Sequence, residues 1–228
     1  MDKREVAKAT VTLPKLGGQG VLVNGNLIIT AAHCIDFKRD GNGVPGSHHR
    51  DFYIEDIKTA RGEFEAALLA ADPISDMAVF GAPDGRGSRE FFEKKVYFEM
   101  FCEETKPVPL CLSDFEPFLS FPVQIYTHIG FWVTGSAMQC PEDAHILWVE
   151  ADRPIDCNSS GGPIINEQGE LVGIVSNFCM ATRGQDKSKG PVPRPHLTLP
   201  VWVCRRIIST KREGVSSGSL LILRWRPE

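Results

Sequence analysis

The sequence lacks a long apolar run, an apolar leader at its start and an excess of positive charge. No stretch approaches the roughly 20 apolar residues that a membrane-spanning helix needs. The opening segment MDKREVAKATVTL contains no apolar run that could serve as a signal peptide. The net charge is −4, so the chain has no electrostatic footprint for nucleic acid. These absences predict a soluble, cytoplasmic protein that binds neither a membrane nor nucleic acid.

Paired cysteine motifs are also lacking. The chain has seven cysteines, an odd number with irregular spacing, and no two of them form a CxxC pair. This pattern argues against a zinc ribbon or a redox motif and favours buried free thiols in a reducing compartment. A structural metal, or one or two disulfides, are the alternatives. We expect no metal and no cofactor.

Strand patterns are frequent. Short runs of Val, Ile and Leu, broken by Gly, Pro, Asn and Asp, predict an all-β chain with about a dozen antiparallel strands. Asn24 and Gly25 lie between two β-rich runs, which is a strong hairpin signal. Residues 121–137 can hold two strands joined near Gly130.

Helical patterns are sparse. Residues 31–35 could form a single turn, and 88–101 could be a short helix or a strand. Residues 200–210 fit a helix, with Pro200 in its first turn. Two segments rich in Gly, Pro and charge, 37–50 and 181–195, are predicted to be loops.

Three segments carry residues suited to nucleophilic catalysis. A serine hydroxyl needs a base to take its proton, and the base needs an acid to orient it. LIITAAHC places His33 after a buried strand, ADPISDMAVF places Asp76 before an apolar run, and NSSGGPI places Ser160 before two glycines. Asp72 and Asp36 are alternative carboxylates.

These segments resemble those of the trypsin-like serine proteases, and most closely the HtrA/Deg protease domain and its stand-alone bacterial relatives. The similarity is carried, in order, by GQGVLVNGNLIITAAHC, LLAADPISDMAVF, DCNSSGGPIINEQGELVGIVS and HLTLPVWVCRRI. Together they span about residues 12 to 210. One such motif alone is weak, but four in the same order are specific.

The resemblance implies two six-stranded antiparallel β-barrels packed face to face, followed by a C-terminal helix. Residues 1–110 would form the first barrel with His33 and Asp76, and residues 111–212 the second with Ser160. Residues 213–228 would be an extension. The resemblance also implies a catalytic triad, His33, Asp76 and Ser160, in the crevice between the barrels.

The sequence departs from the family beside the nucleophile. By the resemblance, the backbone N–H groups of Asn158 and Ser160 would form the oxyanion hole, but the family has glycine where Asn158 stands. Asn tolerates positive φ better than other side chains, so the turn can still form. The alternative is an N–H turned away until substrate binds. Ser159 is expected to be a turn residue, and Cys157 lies too early to be the nucleophile.

The resemblance also assigns the walls of the primary specificity pocket. They are Pro154, Ile155, Asp156, Ser176, Asn177 and Phe178. Pro154 occupies the base, where a basic side chain would need an acidic partner, and Phe178 replaces a smaller residue. We therefore expect a shallow apolar pocket for Val, Ala or Leu, while Asp156 could attract a basic side chain at its rim.

The leading hypothesis is a serine endopeptidase that acts on a protein or peptide through an acyl-enzyme, without a cofactor. The alternative is a catalytically latent or inactive peptide-binding module controlled by a regulatory protein partner. A metal-binding regulatory protein is a third option that rests only on scattered Cys and His. For His128 and His145, the alternatives are contact with substrate and ordinary core or surface placement.

Overall fold

The chain folds into two closed antiparallel barrels of six strands each. The computed structural model describes residues 1–35, 54–72, 76–84, 89–111, 119–139, 146–176 and 194–198. The predicted all-β architecture of two six-stranded barrels is confirmed. The predicted C-terminal helix at 200–210 and the loop at 37–50 lie outside the described residues, and the domain boundaries stay predictions.

The first barrel has the strand order β1-β2-β3-β6-β5-β4 and closes through pairing of β1 with β4. Its strands are β1 (Thr10–Thr12), β2 (Gln19–Val23), β3 (Leu27–Ala31), β4 (Ile54–Thr59), β5 (Gly62–Asp72) and β6 (Met77–Gly81). The predicted β2–β3 hairpin is confirmed. Gly25 and Asn26 both take positive φ in its turn, at 92° and 58°, which are backbone conformations that Gly and Asn tolerate.

The second barrel has the order β10-β11-β12-β9-β8-β7 and closes through pairing of β10 with β7. Its strands are β7 (Ser120–Tyr126), β8 (Trp132–Gln139), β9 (Ile146–Ala151), β10 (Pro163–Ile165), β11 (Leu171–Ile174) and β12 (Arg194–Thr198). The two strands predicted around Gly130 are therefore confirmed. The predicted loop at 181–195 extends too far, because its last two residues begin β12.

The ambiguous segment at 88–101 is a helix, α2 (Arg89–Glu104), between the two barrels in sequence. Phe98, Phe101 and Cys102 are its buried residues, and they lie three and four positions apart, as one helix face requires. The Phe64 ring of β5 lies 5.8 Å from the Phe98 ring and 4.8 Å from the Phe101 ring. Burial raises the pKa of the Cys102 thiol to about 12, so this thiol stays protonated and is a poor nucleophile.

An N-terminal helix, α1 (Lys3–Ala9), was not predicted. Asp2 caps it, because its carboxylate accepts a hydrogen bond from the Arg4 N–H at 3.1 Å. Val6 and Ala9 bury its inner face. The signal for this helix was in the sequence: Asp2 is followed three residues later by Glu5, which resembles a capping box.

Candidate active site

His33 and Asp76 are brought together by the pairing of β3 with β6. Ala31 pairs with Met77, so the chain leaves β3 into the 3₁₀ turn η1 (Ala32–Cys34) beside the start of β6. The His33 Nδ1 atom lies 2.8 Å from Asp76 Oδ2 and 3.0 Å from Oδ1. The backbone N–H of His33 donates to Oδ1 at 2.8 Å. The carboxylate therefore holds both the ring and the main chain of His33.

Asp76 is buried in an unusual backbone conformation. Its φ is 50° and it is only 5% exposed. Positive φ is costly for most side chains, and such strain clusters at functional sites. The Asp76 carbonyl accepts the Ala32 N–H at 3.0 Å, which ties the strained residue to η1. Of the alternative carboxylates, Asp72 ends β5 opposite Met77, and Asp36 lies outside the described residues.

Ser176 is a third partner of this carboxylate, and the sequence reasoning missed it. Its hydroxyl donates to Asp76 Oδ2 at 2.5 Å, and the residue is 2% exposed. The sequence resemblance places Ser176 only in the wall of the specificity pocket. The available signal was a polar residue two positions after the end of the apolar strand β11, where a buried hydroxyl needs a partner.

His33 and Asp76 each shift the pKa of the other. The hydrogen bond to Asp76, then the one to Cys34, raises the pKa of His33 to about 10, although burial of the ring acts in the opposite direction. Burial alone raises the pKa of Asp76, but hydrogen bonds from His33 and Ser176 outweigh it, and the net shift is downward. The arrangement therefore favours an imidazolium beside a carboxylate.

Ser160 lies in a turn of the second barrel that is bonded to the first. We call residues 156–162 the serine turn. The Ser160 carbonyl accepts the backbone N–H of Gln19 at 2.7 Å and the Cys34 thiol at 3.7 Å. Cys34 directly follows His33, so these bonds bring the serine turn next to the His33–Asp76 pair. Ser160 is 2% exposed.

Gly161 allows this close approach of the two barrels. Its φ is 79°, and a Cβ there would lie 2.0 Å from the Gln19 carbonyl oxygen. Gly130 is a matched control, because its φ is 84° but a Cβ there would meet nothing closer than 3.7 Å.

We expect Gly161→Ala to lower the free energy of unfolding by more than about 3 kcal/mol, because backbone strain adds to a clash that only main-chain movement relieves. Gly130→Ala, with strain alone, should cost about 1 to 2 kcal/mol. Urea denaturation of both variants measures the difference. Equal losses would mean that the barrels do not meet closely at Gly161.

Asn158 lies inside the short 3₁₀ turn η2 (Cys157–Ser159). Within this turn the Ser159 N–H donates to the Asp156 carbonyl at 3.0 Å. Among the described residues other than glycine, only Asn26 and Asp76 have positive φ, so Asn158 does not adopt the positive φ that asparagine tolerates. A 3₁₀ turn accommodates Asn158 without the strain of a positive φ. Its N–H groups point toward the carbonyls three residues earlier in the chain.

Ser159 is the other serine of the CNSSGG segment, and it faces inward. It is fully buried, and its hydroxyl accepts the His128 N–H at 3.1 Å. Its carbonyl accepts the Gly162 N–H at 2.8 Å. The Ser159 hydroxyl is therefore bonded to the turn that precedes β8, and it holds the serine turn, as expected. His145 lies outside the described residues.

The predicted specificity pocket is only partly described. Pro154 and Asp156 are exposed, and Ile155 is half-buried against the core of the second barrel. The Ser176 hydroxyl donates its hydrogen bond to Asp76. Asn177 and Phe178 lie outside the described residues, so the depth of the pocket stays a prediction.

The described part of the chain holds no group of three or more His, Cys, Asp or Glu side chains arranged to bind a metal. Cys34 and Cys102 carry free thiols and are buried.

Comparison with known proteins finds similarity to serine proteases. No protein-family model matches the sequence. Two curated relatives are each named a probable periplasmic serine endoprotease DegP-like. The one from Ectopseudomonas mendocina is 31% identical over 124 residues, or 54% of this chain, and the one from Marinomonas sp. is 26% identical over 169 residues, or 74%. The matched parts are only 24% and 31% of those relatives' lengths.

Solved structures of the Rv3671c protease from M. tuberculosis are similar over most of the chain. Its active form has a TM-score of 0.53 at 14% identity, and covers 90% of this chain and 82% of its own. An inactive form with serine replaced by alanine has a TM-score of 0.51 at 14% identity, with 94% and 92% covered. This chain has the chymotrypsin-like serine protease fold. The resemblance to DegP-like serine proteases predicted from the motifs is also confirmed.

The expected cytoplasmic location is wrong, because both curated relatives are named as periplasmic. The expectation rested on the missing apolar leader and the unpaired cysteine pattern, and neither feature determines where a protein acts. Within the described ranges, neither helix is long and apolar enough to cross a membrane.

Proposed function

We propose that this chain is a serine endopeptidase with His33, Asp76 and Ser160 as its catalytic triad. The observation that carries the proposal is the bonding of the Ser160 turn to Cys34 and Gln19, next to a His33 ring held by Asp76. Support also comes from the relatives named serine endoproteases. A hydroxyl, an imidazole and a buried carboxylate in this order are the parts that acyl transfer needs.

In the proposed reaction, His33 takes the Ser160 hydroxyl proton as the oxygen attacks the scissile carbonyl carbon. The tetrahedral intermediate collapses when His33 returns that proton to the leaving amine, which breaks the C–N bond and leaves an acyl-enzyme. Water, deprotonated by His33, then releases the acid product and restores Ser160. Asp76 fixes the ring orientation and stabilises the imidazolium that forms in each half.

The oxyanion hole of this proposal consists of the Asn158 and Ser160 N–H groups. Because Asn158 lies in η2, we propose that the turn reorganises when substrate binds, so that both N–H groups point at the developing oxyanion. Binding energy from the rest of the peptide would drive this step. Asn158→Gly should therefore raise kcat by a few-fold, since glycine rotates more freely at this position. A fall in kcat for this variant would contradict the reorganisation.

The rate of the proposed reaction depends on the protonation of His33. The base must be neutral, and its pKa is raised from 6.5 to about 10, so kcat/KM should increase with pH along a limb centred above pH 6.5. Asp76→Asn should move this limb to lower pH, because it removes the hydrogen bond that contributes most to raising the pKa of His33. Cys34→Ala should move it in the same direction by less. Stopped-flow or steady-state rates from pH 5 to 10 measure the limb, and a midpoint at or below 6.5 would contradict the proposed base.

We propose that the substrates are proteins or peptides with a small apolar residue before the cleaved bond. Pro154, Ile155, Asp156, Ser176, Asn177 and Phe178 would line the pocket for that residue. Support comes from Pro154, which offers no charge at the proposed base of the pocket. Digestion of a peptide library, with mass spectrometry of the products, tests the preference. Cleavage mainly after Lys or Arg would show that Asp156 governs specificity instead.

A second candidate is a latent peptide-binding module that a regulatory protein partner controls. The observation that favours it is the 3₁₀ conformation at Asn158, with the Ser159 N–H already used inside the turn. Peptide binding measured by fluorescence anisotropy, without any product by mass spectrometry, would support this candidate. Hydrolysis by the isolated chain would exclude it.

A further inference from the structure

His128 contacts both ends of η2, although it lies in a different part of the second barrel. It belongs to the turn between β7 and β8, residues 127–131. Its backbone N–H donates to Ser159 Oγ at 3.1 Å, and its Nδ1 atom lies 3.5 Å from the same oxygen. Nδ1 also lies 4.0 Å from Asp156 Oδ2. Asp156 precedes η2 as its N-cap residue, and Ser159 is its last residue.

The turn that carries His128 is itself internally bonded. Thr127 is 2% exposed, and its N–H and hydroxyl both donate to the Phe131 carbonyl, at 2.9 Å and 3.0 Å. The Gly130 N–H donates to the Thr127 carbonyl at 2.9 Å. Ile129 and Phe131 are 55% and 65% exposed. The outer residues of the turn therefore face solvent, while its closed base holds His128 against the serine turn.

We propose that His128 is a positioning residue for the serine turn and, through it, for Ser160. This inference rests on the proposed function, because it assigns to His128 an effect on the rate of acyl transfer. The imidazole Nδ1 atom lies near both the Ser159 hydroxyl and the Asp156 carboxylate. It therefore adds to the His128 N–H bond in limiting how far the two ends of η2 can separate. Its side chain is only 29% exposed, against 50% for Asp156, so the contact with Ser159 is partly shielded from water.

The consequence is a restricted set of orientations for Ser160, which directly follows Ser159. When the imidazole is removed, the serine turn samples more conformations and the Ser160 hydroxyl is less often aligned with His33. Misplacement of a reacting group by about 1 Å can cost on the order of 100-fold in rate. Substrate contacts remote from the turn are unchanged, so the loss should fall on kcat and not on KM.

Two variants of His128 separate positioning from bulk packing. His128→Asn keeps a hydrogen-bonding nitrogen near the place of Nδ1, whereas His128→Leu keeps an apolar volume without it. We expect kcat for a peptide substrate to fall about 10- to 100-fold in the leucine variant, with KM within about twofold. The asparagine variant should stay within about threefold of the unchanged protein. An unchanged kcat in the leucine variant, or equal losses in both, would overturn the proposal.

A second measurement is independent of catalysis. The amides of Ser159 and Gly162 are bonded within the serine turn, to the carbonyls of Asp156 and Ser159. Their hydrogen exchange should accelerate at least about tenfold in His128→Leu and remain near the original rate in His128→Asn. Unaltered exchange in the leucine variant would contradict the positioning role. If the unchanged protein hydrolyses no peptide while exchange responds as expected, the proposed function fails and the contact of His128 with the turn stands.

Discussion

Ser160→Ala is expected to lower kcat/KM for peptide hydrolysis by at least about 10⁴-fold, because it removes the proposed nucleophile. The only residual rate would come from binding and from N–H groups acting on a water molecule. The variant should remain folded, since the Ser160 contacts to Gln19 and Cys34 use its backbone carbonyl. Steady-state kinetics on a chromogenic peptide, with circular dichroism as a check of the fold, measure the effect.

Ser120→Ala is the matched control for this experiment. Ser120 begins β7 and is exposed, so its replacement should leave kcat/KM within about twofold, as surface substitutions usually do. A fall of less than about 100-fold in Ser160→Ala would contradict the assignment of the nucleophile. A loss of activity confined to Ser159→Ala, with Ser160→Ala still active, would show that Ser159 is the nucleophile.

Asp76→Asn should lower kcat on the order of 10³- to 10⁴-fold with little change in KM. The carboxylate accepts from the His33 ring, the His33 backbone and the Ser176 hydroxyl. An amide keeps a single acceptor oxygen and places an N–H₂ donor among these donors, so the imidazole loses its orientation and its counter-charge. Stability should fall as well, because Asp76 is buried and its partners would be left partly unsatisfied.

The neighbouring carboxylate provides the control. Asp72→Asn changes the same functional group at the end of β5, and it should leave kcat within a few-fold because the His33 ring is bonded to Asp76. Comparable losses in both variants would indicate a general electrostatic effect. A large loss in Asp72→Asn alone would transfer the orienting role to that residue.

The chain motifs predicted the two-barrel fold and the approach of His33 to Asp76 because they combine local and long-range constraints. The Asn24-Gly25 hairpin was predictable because these two residues favour a tight turn through their local backbone preferences. His33 and Asp76 each follow or precede an apolar strand, so the β3–β6 pairing brings them together once the barrel closes. Gly161 is required by an approach of backbone to backbone, which explains why the serine turn has glycines after Ser160.

Contacts that depend on side-chain rotation were harder to predict. Ser176 donates to Asp76, and His128 contacts Ser159. The partners in each pair are far apart in the sequence, so neither contact could be predicted from local patterns. No periodicity reports such contacts, because they arise only when the strands have packed. The 3₁₀ conformation at Asn158 was also missed. Residue preference shows that positive φ is tolerated there, but the hydrogen bonds of the turn determine the conformation that is adopted.

The most direct test of the central claim is to treat the unchanged, folded chain with a fluorophosphonate probe and to locate the adduct by peptide mass spectrometry. The probe reacts with a serine only when a neighbouring base activates it. The account predicts one phosphonylated residue, Ser160, and at least about a 100-fold slower reaction in His33→Ala. A folded chain that carries no adduct at Ser160, or one that reacts as fast without the His33 imidazole, would contradict it.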